Sequence, residues 1–191
     1  MKKITTLVFA CLLGAVAYGQ EISGGVKAGL NLANQTFSGN GYTTSPSFLP
    51  GIHGGAYVTM MFSDHLGLQP EVLYSAQGAK SGDQKYKINY VNIPVLVRYN
   101  ITDLFSIHAG PQFGLLTSAK FASGSNETDV KDQIKGSDIG IAAGVGFDLP
   151  MKLNFSARFI QGLTNINDTG SSTNTKNYNL QLSVGYKLFG K

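Results

Sequence analysis

Charge is scarce in this chain. Only 14% of its 191 residues are Asp, Glu, Lys or Arg, against about 25% in ordinary soluble domains. There is no Trp and one cysteine, Cys11, so the chain cannot close a disulfide within itself. After the first twenty residues no apolar run approaches eighteen residues, which excludes a membrane-spanning helix. Basic residues do not cluster among aromatics, so the formal net charge of +4 does not point to nucleic acid. Glycine pairs at 24–25 and 54–55, and the run 144–146, precede neither a helical pattern nor a GK[ST] ending, which argues against a phosphate loop.

The chain is rich in glycine, with 24, and in Tyr and Phe, with 9 and 11. Glycine destabilises helices, whereas tightly packed strands tolerate it, and a single domain is expected at this length. Residues 1–19 read as a signal peptide: Lys2 and Lys3, an apolar stretch from Ile4 to Val16, and Ala17 and Gly19 at −3 and −1 before Gln20. Its removal would leave a barrel domain, residues 20–191, with 13 basic and 11 acidic residues.

The stretch Asn89 to Leu116 sets the pattern. Val91, Ile93, Val95, Val97 and Tyr99 fall on one face, and Tyr90, Asn92, Pro94, Leu96 and Arg98 on the other. After the break Ile101-Thr102-Asp103, alternation resumes with Phe105, Ile107, Ala109, Pro111 and Phe113 against Ser106, His108, Gly110 and Gln112. Period two on both sides of so short a break predicts a β-hairpin. The apolar face carries no charge, while the other is small or hydrogen-bonding. A soluble sheet would turn Lys, Glu and Thr to water; this one reads as inverted, apolar toward lipid and polar toward a lumen.

Eight such segments follow in the order 22–33, 51–62, 65–77, 89–100, 105–116, 137–149, 153–162 and 178–188. Each is long enough for a tilted crossing, which takes about 9–11 residues. Tight breaks alternate with polar stretches at 34–50, 78–87, 117–136 and 164–176, read as long extracellular loops. The outward aromatics sort into two girdles. Phe62, Tyr99, Phe105, Phe147, Phe155 and Tyr186 lie near the tight turns, and Tyr74, Phe113, Phe159 and Tyr178 near the long loops. The expected fold is all-β: an eight-stranded antiparallel up-and-down transmembrane β-barrel. Pro70, Pro94 and Pro111 each remove a ladder donor, which predicts bulges or broken pairing there.

A barrel of eight strands is filled by its own side chains. Its inward ionisable groups are Lys27, Glu71, Arg98, Asp138, Asp148, Arg158 and Lys187. Buried charges persist when paired, so a structural network is expected around Glu71 with Arg98 and Arg158, with Asp148 and Lys187 as further members. His53 lies near the outer rim with no serine at a fixed strand position beside it, and His108 has no second ligand nearby. Neither suits lipid hydrolysis or a metal. No catalytic residue, metal or cofactor is assigned.

The mature chain resembles the PorT-like outer-membrane β-barrel family. The resemblance rests on Gly29-Leu30-Asn31, the stretch Leu68 to Lys80, the stretch Ile88 to Asn100, Ala109 to Pro111, Arg158 with Gly162 to Ile166, and Leu180 to Phe189. It implies an eight-stranded barrel in the outer membrane of a Gram-negative bacterium, with membrane lipid as its surroundings. It also implies a closing aromatic, Phe189, that the barrel-insertion machinery reads, and a role near protein secretion. The expected role is structural or docking and non-enzymatic, with a secretion-system or surface partner. The alternative is an adhesin or ligand-binding barrel working through its long loops.

Overall fold

The computed structural model describes residues 21–39, 42–124, 126–170 and 172–190. The expected signal peptide, with Lys2, Lys3 and Cys11, lies outside them. Ten strands form one antiparallel sheet: β1 Glu21–Gly39, β2 Tyr42–Thr44, β3 Ser47–Met61, β4 Leu66–Ser81, β5 Gln84–Asn100, β6 Phe105–Ser123, β7 Asn126–Asp129, β8 Ser137–Asp148, β9 Leu153–Gly162 and β10 Asn174–Phe189. Eight of them make a ring in the order β10-β9-β8-β6-β5-β4-β3-β1. It closes where β1 pairs β10, from Ser38 opposite Asn174 to Gly24 opposite Phe189. The short β2 and β7 add to β1 and β6 beyond the ring. Closure leaves no open edge within the ring, which is what a sheet inside lipid requires.

Side chains alternate around the wall as period two dictates. Ile141 and Leu182 point outward and are 53% and 51% exposed, while Leu96 and Ala142, on the opposite phase, are fully buried. Arg98 faces in and Val97 beside it faces out. The outward face carries Val26, Leu30, Val72, Ile107, Val145 and Val184, all exposed. An apolar belt this extensive marks a membrane surface, since soluble monomers rarely expose more than a few hundred Å² contiguously. Among the described residues, no helix is long and apolar enough to cross a membrane.

Pro70, Pro94 and Pro111 sit within strands, and beside Pro70 and Pro94 the pairing lapses without a shift of register. Between β4 and β5 the pairing lapses after Pro70–Val95 and resumes at Leu73–Asn92. Between β5 and β6 it lapses after Pro94–Gln112 and resumes at Val97–Ala109. The one bulge on that ladder lies higher, where Asn89 pairs Ser118 but Tyr90 pairs Leu116, leaving Thr117 unpaired.

Strands outrun their expected bounds at one end of the barrel, and this corrects the loop assignment. Residues 78–87 are no loop: β4 and β5 continue to a two-residue turn at Gly82-Asp83, where Gly82 takes φ +58°. β1 runs to Gly39, β3 begins at Ser47, and β6 reaches Ser123. Asn126-Glu127-Thr128 lies in strand β7. The opposite end carries the short turns 62–65, 101–104 and 149–152 and both ends of the described chain. In bacterial barrels that arrangement is periplasmic and the extended end extracellular.

Candidate functional site

The inward face has four tiers, followed from the periplasmic end. Lowest is the guanidinium of Arg98, which bonds the Asp148 carboxylate, Asn100 Oδ1 at 3.0 Å and Gln69 Oε1 at 3.2 Å. Asn154 donates to the other Asp148 oxygen at 2.9 Å. Lys187 is half-buried and shares a recess of about 230 Å³ with Asp148 and Tyr57.

Above lies the charged centre. Glu71, 2% exposed, accepts two parallel bonds from Arg158, both 2.9 Å, and one from Lys27 Nζ at 2.9 Å. Gln69 Nε2 adds a fourth at 2.7 Å. A bidentate Arg with further donors is the geometry in which a buried carboxylate is best compensated. Arg158 Nε also donates to His108 Nε2 at 3.2 Å. His108 and Arg158 both pair Gly144 from opposite sides, and a Cβ on Gly144 would lie 2.8 Å from the His108 ring. The absent side chain is what lets the two meet.

The third tier repeats the device. His53 and Ser183 both pair Gly29, one from β3 and one from β10. Across that glycine His53 Nε2 meets Ser183 Oγ at 2.8 Å, while its Nδ1 meets Asn31 Oδ1 at 2.8 Å. Asn31 is itself pinned by Ser75 Oγ at 2.9 Å and the Ala76 carbonyl at 2.7 Å. The pattern matches a hydrolase relay of nucleophile, base and orienter. Yet His53 is 3% and Ser183 8% exposed, and the nearest inner chamber is not lined by either. An ester carbon has no room to come within about 3 Å of the serine. The three side chains tie β10, β3 and β1 together inside the barrel.

The fourth tier is polar and incompletely paired. Asn177 Nδ2 donates to Asp138 Oδ2 at 2.9 Å and to the Tyr90 hydroxyl at 3.3 Å. Asn92 Nδ2, Gln112 Oε1, Asp138 Oδ1 and both amide atoms of Asn179 are buried without a protein partner. They line a chamber of about 10 Å³, the size that holds one water. Beyond it an apolar plug closes the outer mouth. Ile88, Tyr90, Leu116, Ala119 and Ile166 pack together under Val130 and Ile134. The loops carrying Ile134 and Ile166 are stitched by Lys135 N to Ile166 O at 2.8 Å and Asp168 N to Gln133 O at 3.0 Å.

Of the residues singled out from sequence, Glu71 and Arg158 therefore meet directly. Arg98 and Asp148 form a separate ion pair, tied to Glu71 through Gln69, so the expected direct Arg98–Glu71 contact is corrected. Arg98 lies one tier too low to reach it. Lys27 takes that place. The Ser183–His53–Asn31 chain and the apolar plug carry no local sequence signal; strand register and loop folding bring them together. Among the described residues, no group of three His, Cys, Asp or Glu side chains could hold a metal.

Comparison with known proteins agrees with this architecture. Residues 18–168 match the family described as outer membrane protein beta-barrel domain. Ail, the attachment invasion locus protein of Yersinia pestis, is similar in structure, with TM-score 0.53 at 17% identity, over 88% of this chain and 99% of that one. Neisserial surface protein A gives TM-score 0.54 at 13% identity, over 85% of this chain and 97% of that one. At such identities the likeness is one of fold. No curated protein sequence matches the chain. The chain belongs to the outer membrane protein beta-barrel domain family and is an outer-membrane β-barrel protein.

Proposed function

We propose that this barrel is a non-enzymatic scaffold of the bacterial outer membrane, with a closed lumen, whose role is structural or docking. The observation that carries the reading is the Glu71–Arg158 bridge, which spans the lumen and, with Lys27, fills its centre. The secretion-associated form of this role, and a PorT-like identity, rest on the resemblance in Leu68–Lys80 and Ile88–Asn100. Export by residues 1–19, and insertion by machinery reading Phe189 at the end of β10, belong to the same proposal. Cross-linking in outer membranes followed by affinity capture tests it. Recovery of periplasmic or membrane components of a secretion assembly supports docking, and cross-links confined to lipid and insertion machinery contradict it.

A second reading has an observation of its own. β1 with β2, and β4 with β5, continue past the apolar belt as hairpins that display residues such as Tyr42, 82% exposed. A rigid projecting rim suits recognition of a surface ligand. In the same capture experiment, host or cell-surface molecules lost on deleting residues 42–46 favour this reading.

A further inference from the structure

The outer wall of β4, β5 and β6 changes character just above the apolar belt. Tyr74 and Leu115 flank Val91 at the last apolar rank. The next rank is small and polar: Ala76, Asn89 and Ser118. Above it come two lysine pairs, each directly opposed across a ladder: Lys87 with Lys120, and Lys80 with Lys85. Directly opposed like charges destabilise a sheet. Glu127, on β7, relieves one pair by bonding Lys87 at 2.5 Å and Lys120 at 3.2 Å. Other acids near the patch are Asp129, opposite Lys120, and Asp83 in the hairpin turn. Among the described residues, Lys80 and Lys85 have no ion pair.

Beside the pairs lies a groove of about 480 Å³, floored by Ala76, Asn89 and Ser118 and rimmed by Lys85, Lys87, Lys120 and Glu127, with Lys80 just outside its lining, opposite Lys85. Its height is set by the strands. Lys87 stands four residues beyond Val91, about 13 Å along the strand and roughly 10 Å along the membrane normal after tilt. That is the headgroup layer, and long lysine stems can bend back toward it. A groove that is small-floored, carries three lysines against one glutamate and stands at headgroup height fits an anion fixed to a lipid.

We propose that this groove binds a phosphate group of a phosphorylated glycolipid in the outer leaflet, the anion sitting against Lys85 at the groove's rim and drawing in Lys80, which stands opposite it just outside the lining. The bound phosphate relieves the opposed lysines and fixes the barrel's depth and rotation against its lipid. This goes beyond the scaffold role and does not depend on it.

The test uses full-length protein refolded into phosphatidylcholine vesicles and titrated with a bisphosphorylated glucosamine-disaccharide lipid. Parallel titrations use the same glycolipid without phosphates and inorganic phosphate. The temperature at which heat-dependent gel migration changes reports binding. The expected result is a rise with the bisphosphorylated lipid alone. Lys80→Gln/Lys85→Gln should lose roughly thirtyfold in apparent affinity, the effect of two cations near a membrane surface, and Lys80→Arg/Lys85→Arg should retain it. An equal rise with the dephosphorylated lipid, a response to inorganic phosphate as large as to the lipid, or an unchanged affinity in the Gln variant overturns the proposal.

Discussion

Glu71 and Arg158 join strands that stand four places apart in either direction around the eight-strand ring, so their two 2.9 Å bonds run along a diameter of the barrel. The Tyr90–Asn177 hydrogen bond, from β5 to β10, is a second diameter two tiers higher. Links of this kind tie opposite walls together, and the lumen between them is occupied by the side chains that make them.

Removing Glu71 strands two buried cations. Glu71→Ala should therefore lower unfolding stability by about 3–5 kcal/mol. Replacing both partners, Glu71→Leu with Arg158→Leu, should cost clearly less than the sum of the single changes. Urea titration in detergent micelles measures both, and additive losses would mean that the bridge is not a coupled unit.

The glycines between paired side chains should resist substitution. A Cβ on Gly29 would lie 2.0 Å from the Leu182 carbonyl oxygen and 2.8 Å from the His53 ring. Gly29→Ala should cost at least about 2 kcal/mol, at the level of overpacking a core. Gly136→Ala, where a Cβ meets nothing within 4 Å, should be nearly neutral in the same titration.

The faces of the wall were legible because period two persists through every crossing, and one face must meet lipid. Val91, Ile93, Val95 and Val97 reveal that phase even with Pro94 among them. Where strands leave the membrane, both faces meet water and the signal ends. That is why Gly78 to Lys87 read as a loop although backbone pairing continues to Ser81–Gln84. The pairing partners within the lumen were legible only in part. Glu71 and Arg158 were evident as opposite charges on inward positions. His53 and Ser183, 130 residues apart, meet only because each pairs Gly29, a matter of register that neither segment discloses.

Ser183 should behave as a strut and not as a nucleophile. An active-site-directed fluorophosphonate should leave it unlabelled in the folded barrel, and Ser183→Ala should lower stability by about 1–3 kcal/mol through the buried His53 nitrogen it leaves unpaired. Covalent labelling of Ser183 in folded protein, or phospholipid hydrolysis lost on that substitution, would reassign the relay to catalysis.

Glu127 carries the pH dependence of the outer rim. Hydrogen bonds from Lys87, then Lys120, hold its carboxyl below the usual range. Its contribution is in place above the ordinary glutamate value, about 4.3, and fades as pH falls through the lowered one. Amide exchange in β7 should quicken relative to the rest of the barrel as the pH falls through that lowered value, and Glu127→Gln should show the faster exchange already at pH 7. The contact is solvent-exposed, so global stability should scarcely move.

Ile166 anchors the plug at 1% exposure between the two stitched loops. Ile166→Ala should release the mouth without unfolding the wall. Amide exchange should rise at Lys135 and Asp168, whose bonds staple the loops, while the β1–β10 seam stays protected. Equal loss of protection at the seam would show that loops and wall unfold as one.

Single-channel recording in planar bilayers tests the central claim most directly. A lumen crossed by Glu71–Arg158 and capped by Ile166 should give no steady conductance at 100 mV, and Glu71→Ala combined with Ile166→Ala should introduce one. A large, stable conductance from the unaltered protein would contradict the closed barrel.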